Sequence, residues 1–206
     1  MPKKKKIQRK SIDKTKTIPK PKASIEELQE SRNGGQIALR GYSYQFLYSC
    51  YLMLSCKDEN TVFNLEGLED IDKIVSTSDE QKTMHIQLKY SENKQDASFM
   101  KSVLKNFLEA YLLDKNRAFK LVYDFSVAKG HLSKLVNNIL DSDELQYWKA
   151  TVDEIKNENP QWNWNQLDFD DFISKLSYEN IKKAVLAERV EMALIENYDI
   201  TTDNIK

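Results

Sequence analysis

Two short segments of this sequence hold residue types that could carry out chemistry together. The first is the acidic run LEGLEDID, which includes Asp70 and Asp72, and the second is IQLKY, which includes Gln87 and Lys89. Side chains two residues apart on a β-strand point to the same face, so each of these pairs shares a face of its strand. A hairpin that joins the two segments would place two carboxylates, an amide and an ammonium group side by side at one sheet edge.

Such a set of groups is suited to metal-assisted cleavage of a phosphodiester. Mg²⁺ prefers oxygen ligands and keeps several waters, so one or two carboxylates, an amide oxygen and a backbone carbonyl are sufficient to bind it. The metal polarises the phosphate and lowers the pKa of a bound water. A nearby lysine orients that water or balances the charge that grows on phosphorus. Exposed strand faces also carry Asp, Gln and Lys without any such function, so a purely structural interpretation stays open.

The elements that must position these residues are predicted from the spacing of apolar side chains. Period-two patterns and short apolar runs predict four strands, at 62–66, 71–75, 84–90 and 119–127. Helical spacing predicts two helices in the same part of the chain, at 36–56 and 98–114. After His131 every segment has a helical pattern: 131–140, 142–158, 166–176 and 178–197. The expected fold is α/β, a mixed sheet flanked by helices and followed by a helical C-terminal portion.

The charge is distributed unevenly along the chain. The first 22 residues hold ten basic side chains and one acid, which leaves 21 basic and 31 acidic residues, a net charge of −10, for positions 23–206. The predicted organisation is a disordered basic arm at 1–24, a core domain at 25–130 and a helical extension at 131–206. Because an acidic body repels phosphate, DNA binding would require that the acids surround a metal or that a partner supplies a basic surface.

Composition excludes several other classes of protein. The chain has only two histidines, His85 and His131, and two cysteines, Cys50 and Cys56, and they do not have the short spacings of the four ligands of a structural zinc site. A serine or cysteine triad is disfavoured for the same reason. No apolar run approaches the roughly 18–20 residues that cross a bilayer, so we expect a cytoplasmic protein with no membrane association.

The order of three segments resembles a known family. GGQIALRGYSYQ (34–45), LEGLEDID (65–72) and IQLKY (86–90) are similar to the double-stranded-DNA endonuclease domain of effectors in bacterial CBASS anti-phage systems. That family belongs to the PD-(D/E)XK, or restriction-endonuclease-like, superfamily. The resemblance covers roughly residues 34–127 and, more loosely, the helical remainder. It implies a restriction-endonuclease-like fold, double-stranded DNA as substrate and Mg²⁺ or Mn²⁺ as cofactor.

The resemblance also implies roles for individual residues. Asp70 matches the metal-binding acid at the start of the second core strand, and Lys89 matches the catalytic lysine. Gln87 takes the place of the usual second acid, as in the Gln variant of the superfamily, and is expected to bind the metal. Gln45 matches a position of the first helix that lies near the site in this family. An ordinary hydrogen-bonded core glutamine is the alternative for Gln45.

Two further acids are weaker candidates for metal binding. Glu66 ends a predicted strand and could bind a second metal or lie in solvent. Asp72 could make up for the charge that is lost where Gln87 replaces an acid.

The sequence is compatible with three functional hypotheses. The favoured one is a metal-dependent endonuclease that cleaves double-stranded DNA as an effector subunit of a bacterial anti-phage defence system. Since related domains are paired with SMC-like ATPases, we expect control by a partner complex, either such an ATPase or a nucleotide-sensing module, or by homo-oligomerisation. The second hypothesis is a catalytically silent interaction subunit that keeps the nuclease fold. The third is a helical adaptor whose basic arm binds nucleic acid.

Overall fold

The computed structural model describes residues 34–198 of the chain. The predicted basic arm at 1–24 therefore lies outside the described residues. Residues from Ile37 onward group into a single unit, which contains the whole sheet and the helices that follow it in sequence. No helix within 34–198 combines the length and the apolar character that crossing a bilayer would require.

The described residues form helices and strands in an interleaved order. The helices are α1 (Gly34–Ser55), α2 (Ala97–Leu113), α3 (Gly130–Val136), α4 (Ser142–Glu158), α5 (Phe169–Ser174) and α6 (Lys183–Tyr198). The strands are β1 (Thr61–Leu65), β2 (Ile71–Ser76), β3 (Gln81–Ser91), β4 (Ala118–Phe125) and β5 (Leu176–Asn180). A short 3₁₀ turn, Trp164–Gln166, precedes α5.

The strands form one mixed sheet in the order β1-β2-β3-β4-β5. The pairs β1–β2 and β2–β3 are antiparallel, whereas β3–β4 and β4–β5 are parallel. A parallel pair needs a crossover, and α2 provides it between β3 and β4. The predicted α/β fold, a mixed sheet flanked by helices, is confirmed.

The prediction of helical structure is wrong for one segment of the C-terminal portion. Residues 176–180 form β5 rather than part of a helix, and β5 pairs in parallel with β4, with Phe119 opposite Leu176. The exposed edge of β4 would otherwise present unpaired backbone groups, and this tertiary requirement outweighs the local helical spacing. The predicted boundary at residue 130 thus separates parts of one sheet.

Alternation along β3 divides the interior into two apolar clusters. Ile86 and Leu88 pack with Tyr44 and Tyr48 of α1 on one face. On the other face, residues of β4 such as Phe119 pack with α2, α4 and α5 around the fully buried Trp148. His85, Gln87 and Lys89 alternate with the first set and therefore point toward the second face. The stacking of His85 on Phe119, with ring centroids 5.7 Å apart, agrees with this orientation.

Candidate active site

A tight turn between β1 and β2 carries the acidic residues of the site. The N–H of Glu66 donates to the carbonyl of Asp70 at 3.0 Å, and Glu66 has a positive φ of 54°. A Cβ at Gly67 would collide with the carboxylate of Asp72, so only glycine allows this close approach. The same Asp72 carboxylate accepts from the N–H of Leu68 at 2.9 Å. These contacts between its own residues hold the turn in place, and Glu69 and Asp70 are its last two residues.

Asp70 contacts the backbone of β3 and the side chain of Gln45 on α1. Its Oδ2 accepts from the N–H of Leu88 at 2.6 Å, and its Oδ1 accepts from Nε2 of Gln45 at 2.7 Å. Leu88 is the residue between Gln87 and Lys89, so Asp70 reaches the strand segment that carries both. The structure thus brings Gln45 into direct contact with Asp70.

Gln87 and Lys89 differ in their surroundings. The Gln87 side chain is buried, and its Oε1 has no hydrogen-bond partner. An amide oxygen left without a donor in the interior costs roughly 1–3 kcal/mol, because its hydration is lost and nothing replaces it. Lys89 is half-buried. An unpartnered oxygen and a nearby ammonium group are features of a site that a ligand completes.

Glu69 is a buried acid at this site that the sequence analysis did not select. Its side chain is only 9% exposed, and no described residue donates a hydrogen bond to it. Burial raises the pKa of Glu69 to about 7, with the neighbouring Asp70 carboxylate adding to the rise and the Lys89 ammonium opposing it. An acid in a glycine-containing turn is normally solvent-exposed, which is why its type and position gave no signal.

Asp72 has a different set of partners. Its Oδ1 lies 2.6 Å from Nδ1 of the buried His85, whose Nε2 lies 2.8 Å from Nη1 of Arg117. A guanidinium group can only donate, so His85 Nε2 accepts and Nδ1 carries the proton that is donated to Asp72. Both Asp72 oxygens accept from protein donors, as both Asp70 oxygens do, but the donors of Asp72 are His85 and the turn backbone rather than the segment of β3 from Gln87 to Lys89. We therefore leave Asp72 out of the proposed metal set.

Glu66 is exposed at the start of the turn. The structure does not bring it together with Gln87 or Lys89 through any described contact, and we leave it out of the proposed metal set as well.

The remaining groups fit a hard divalent cation. No group of three or more His, Cys, Asp or Glu side chains within 34–198 is arranged to hold a metal on its own. Mg²⁺ commonly binds through one or two carboxylates, waters and substrate phosphates rather than a full protein cage. The Asp70 carboxylate and the unpartnered Oε1 of Gln87 match that requirement.

The fold places the chain in the restriction-endonuclease-like class of α/β domains. A family model described as "Cap4, dsDNA endonuclease domain" matches residues 33–202, which is most of the chain. The chain belongs to this family, and the resemblance drawn from its three sequence segments is confirmed.

Two solved structures are similar to this chain. The Acinetobacter baumannii Cap4 SAVED/CARF-domain containing receptor, with the cyclic trinucleotide 3'3'3'-cAAA, matches at 16% identity with a TM-score of 0.50. That match covers 78% of this chain and 38% of the receptor. The Moraxella osloensis Cap4 receptor matches at 12% identity and a TM-score of 0.48, over 79% of this chain and 38% of that one. A search of curated proteins gives no significant match.

Proposed function

We propose that this chain is the nuclease part of a metal-dependent endonuclease that cleaves double-stranded DNA in bacterial anti-phage defence. Membership of the Cap4 dsDNA endonuclease family supports the substrate and the reaction. The observation that carries the metal dependence is the buried, unpartnered Oε1 of Gln87, one residue before the amide that holds Asp70.

In this proposal each residue has a separate task. Asp70 and Gln87 would hold Mg²⁺ or Mn²⁺ through oxygen atoms, and the bound cation would polarise the scissile phosphate and acidify a water. Lys89 orients the attacking water or balances the charge that develops on the phosphate oxygens. Gln45 is a positioning residue, because its Nε2 fixes one oxygen of Asp70 and leaves the rotation of that carboxylate little freedom.

The charge of the chain and its similarity to Cap4 receptors support control by a partner. Positions 23–206 carry a net charge of −10, so binding to a polyanion is weak unless a basic surface is supplied. The chain spans about 38% of the length of the Cap4 receptors that it matches, and those receptors contain a SAVED/CARF domain. These features favour control by a nucleotide-sensing module, an SMC-like ATPase or self-association. We also propose a cytoplasmic location.

A second candidate function is a nuclease-fold subunit without activity. The presence of Gln87, where the superfamily usually has an acid, favours it, since the site then has one negative charge fewer. Metal-dependent cleavage separates the two functions.

The test is cleavage of plasmid DNA by the full chain at low salt with Mg²⁺, with Mn²⁺ or with a chelator. Low salt strengthens binding to DNA and reduces the need for a partner. We expect cleavage that requires the metal and falls at least about a hundredfold in Lys89→Met and Asp70→Asn.

The matched control is Lys82→Met. Lys82 lies on the same strand as Lys89 but is exposed, and among residues 34–198 its salt bridge is with Glu80, at 3.2 Å. Equal activity of Lys89→Met and Lys82→Met would refute the nuclease proposal, as would cleavage that persists in the chelator. A folded chain that neither cleaves DNA nor binds Mn²⁺ would establish the inactive subunit instead.

A further inference from the structure

Four carboxylates are buried within 34–198, and three of them have donors. Asp72 accepts from His85 and from the N–H of Leu68. Asp124 accepts from Nζ of Lys182 at 2.8 Å and from the N–H of Lys183 at 2.9 Å. Glu144 accepts from His131 and Lys134. The fourth, Glu69, accepts from no described residue and forms no salt bridge with one.

Glu69 is 9% exposed, and its carboxylate oxygens, unlike Oε1 of Gln87, are not among the fully enclosed atoms without a partner. The turn that contains Glu69 is held in place by the hydrogen bonds of Asp72 and Glu66. Glu69 thus occupies its buried position through the fixed backbone of the turn rather than through contacts of its own side chain.

The neighbours of Glu69 are the groups of the proposed site. Glu69 is next in sequence to Asp70, whose carboxylate accepts from the N–H of Leu88, the residue between Gln87 and Lys89. The ammonium of Lys89 opposes the rise that burial causes in the pKa of Glu69. Gln87 lies two residues before Lys89 on the same face of that strand, and its buried Oε1 also lacks a partner. The Glu69 carboxylate and Oε1 of Gln87 are therefore two metal-binding groups without a described hydrogen-bond donor in the same part of the molecule.

We infer that Glu69 is the second carboxylate ligand of the divalent cation, and that it supplies the negative charge absent at Gln87. This inference rests on the proposed function. With Asp70 alone a divalent cation would keep a net positive charge in a partly buried site, whereas Asp70 and Glu69 together neutralise it. The usual second acid has in effect moved from β3 to the turn before β2, next in sequence to the first acid.

The test measures binding of Mn²⁺ alone, without DNA, to the full chain by calorimetry and by electron paramagnetic resonance of the free ion. We expect Glu69→Gln to weaken Mn²⁺ binding by on the order of ten- to a hundredfold, the range seen when groups that support a metal ligand are removed. Asp70→Asn should weaken it at least as much. Glu69→Asp keeps the charge and should retain part of the affinity.

Glu80→Gln is the matched control, because it removes one carboxylate from an exposed position in the β2–β3 hairpin. Its Mn²⁺ affinity should equal that of the unchanged chain. A second readout is the melting temperature without metal: Glu69→Gln should melt at the same temperature or higher, because a buried charge is lost. A structural role for Glu69 would instead lower the melting temperature.

The outcomes separate the inference from the proposed function. If Asp70→Asn loses Mn²⁺ binding while Glu69→Gln keeps it, the inference is overturned and the metal-dependent nuclease stands. If the unchanged chain binds no Mn²⁺ and cleaves no DNA, both are overturned. If both variants lose binding and Glu80→Gln does not, Glu69 is a ligand.

Discussion

Each of the two sides of this domain buries a glutamate, but the two side chains differ in their hydrogen-bond donors and in the direction of their pKa shift. Glu144, in the first turn of α4, is 1% exposed and lies 2.9 Å from Nδ1 of His131, with the ammonium of Lys134 as a second donor. These donors, Lys134 first, hold the pKa of Glu144 below its usual value. Glu69 is 9% exposed and has no described donor, and its pKa is raised to about 7.

This contrast distinguishes a charge that stabilises the fold from a charge that serves a ligand. On the helical side, a buried carboxylate accepts from the Lys134 ammonium and from His131, and the groups of 34–198 left without partners there, Trp148 Nε1 and Tyr178 Oη, are neutral. At the proposed site the Glu69 carboxylate has no described donor, and Oε1 of Gln87 is enclosed without a partner. Binding of a cation there would give both groups a partner.

The largest stability effect is expected on the helical side, at Trp148. Its side chain is fully buried in the cluster that joins the sheet to α2 and α4. Trp148→Ala should lower the free energy of unfolding by about 3 kcal/mol, toward the lower end of the range for such truncations because its N–H has no partner to lose. Urea unfolding followed by circular dichroism measures this loss.

If the two sides are energetically separate, the loss of stability in Trp148→Ala should not change metal binding at the site. Below its unfolding transition, Trp148→Ala should bind Mn²⁺ as the unchanged chain does. A large loss of Mn²⁺ affinity in the folded variant would show that the two sides are not energetically separate.

A smaller effect, dependent on pH, is expected at Glu144. Its folded pKa is lowered, so its stabilisation is present above the unfolded pKa of about 4.5 and is lost as pH falls through the folded value. Glu144→Gln should therefore be less stable than the unchanged chain at neutral pH, and the difference should shrink on acidification. Thermal melts across a pH series measure it, and a difference that grows toward low pH would contradict the ion-pair account.

The smallest effect is expected at Gln45. Gln45→Met removes the donor that holds Oδ1 of Asp70 at 2.7 Å and keeps the length of the side chain. A hydrogen bond to a charged group contributes roughly 1.5–3 kcal/mol, part of which water recovers, so we expect the single-turnover cleavage rate to fall about tenfold. Gln81→Met, exposed at the start of β3, is the control and should leave the rate unchanged. A rate for Gln45→Met equal to that control would exclude a positioning role.

Most of the fold could be predicted from sequence because its strands and long helices carry clear apolar periodicities. The strands at 62–66, 71–75 and 84–90 lie within one or two residues of β1 and β2 and inside the longer β3. The segment LSYEN at 176–180 could not be recognised as β5, because its partner β4 lies about 60 residues earlier and no local pattern encodes that pairing.

The candidate site was predictable only where residue type and strand alternation coincide. Gln87 and Lys89 could be selected because alternation along β3 is regular, and Asp70 because the acidic run LEGLEDID resembles the metal-binding segment of the family. Glu69 could not, since its burial depends on the positive φ of Glu66 and on the close approach of Gly67 to Asp72. These are properties of the folded turn and are not visible in the order of its residues.

The most direct measurement of metal binding at this site is anomalous diffraction at the manganese edge from crystals of the full chain soaked in Mn²⁺. We expect a peak at coordination distance, about 2.1 Å, from oxygens of Asp70 and Gln87, with Glu69 as a further ligand. Manganese bound only elsewhere in crystals that contain the ion, with Gln87 Oε1 still without a partner, would contradict the proposed site.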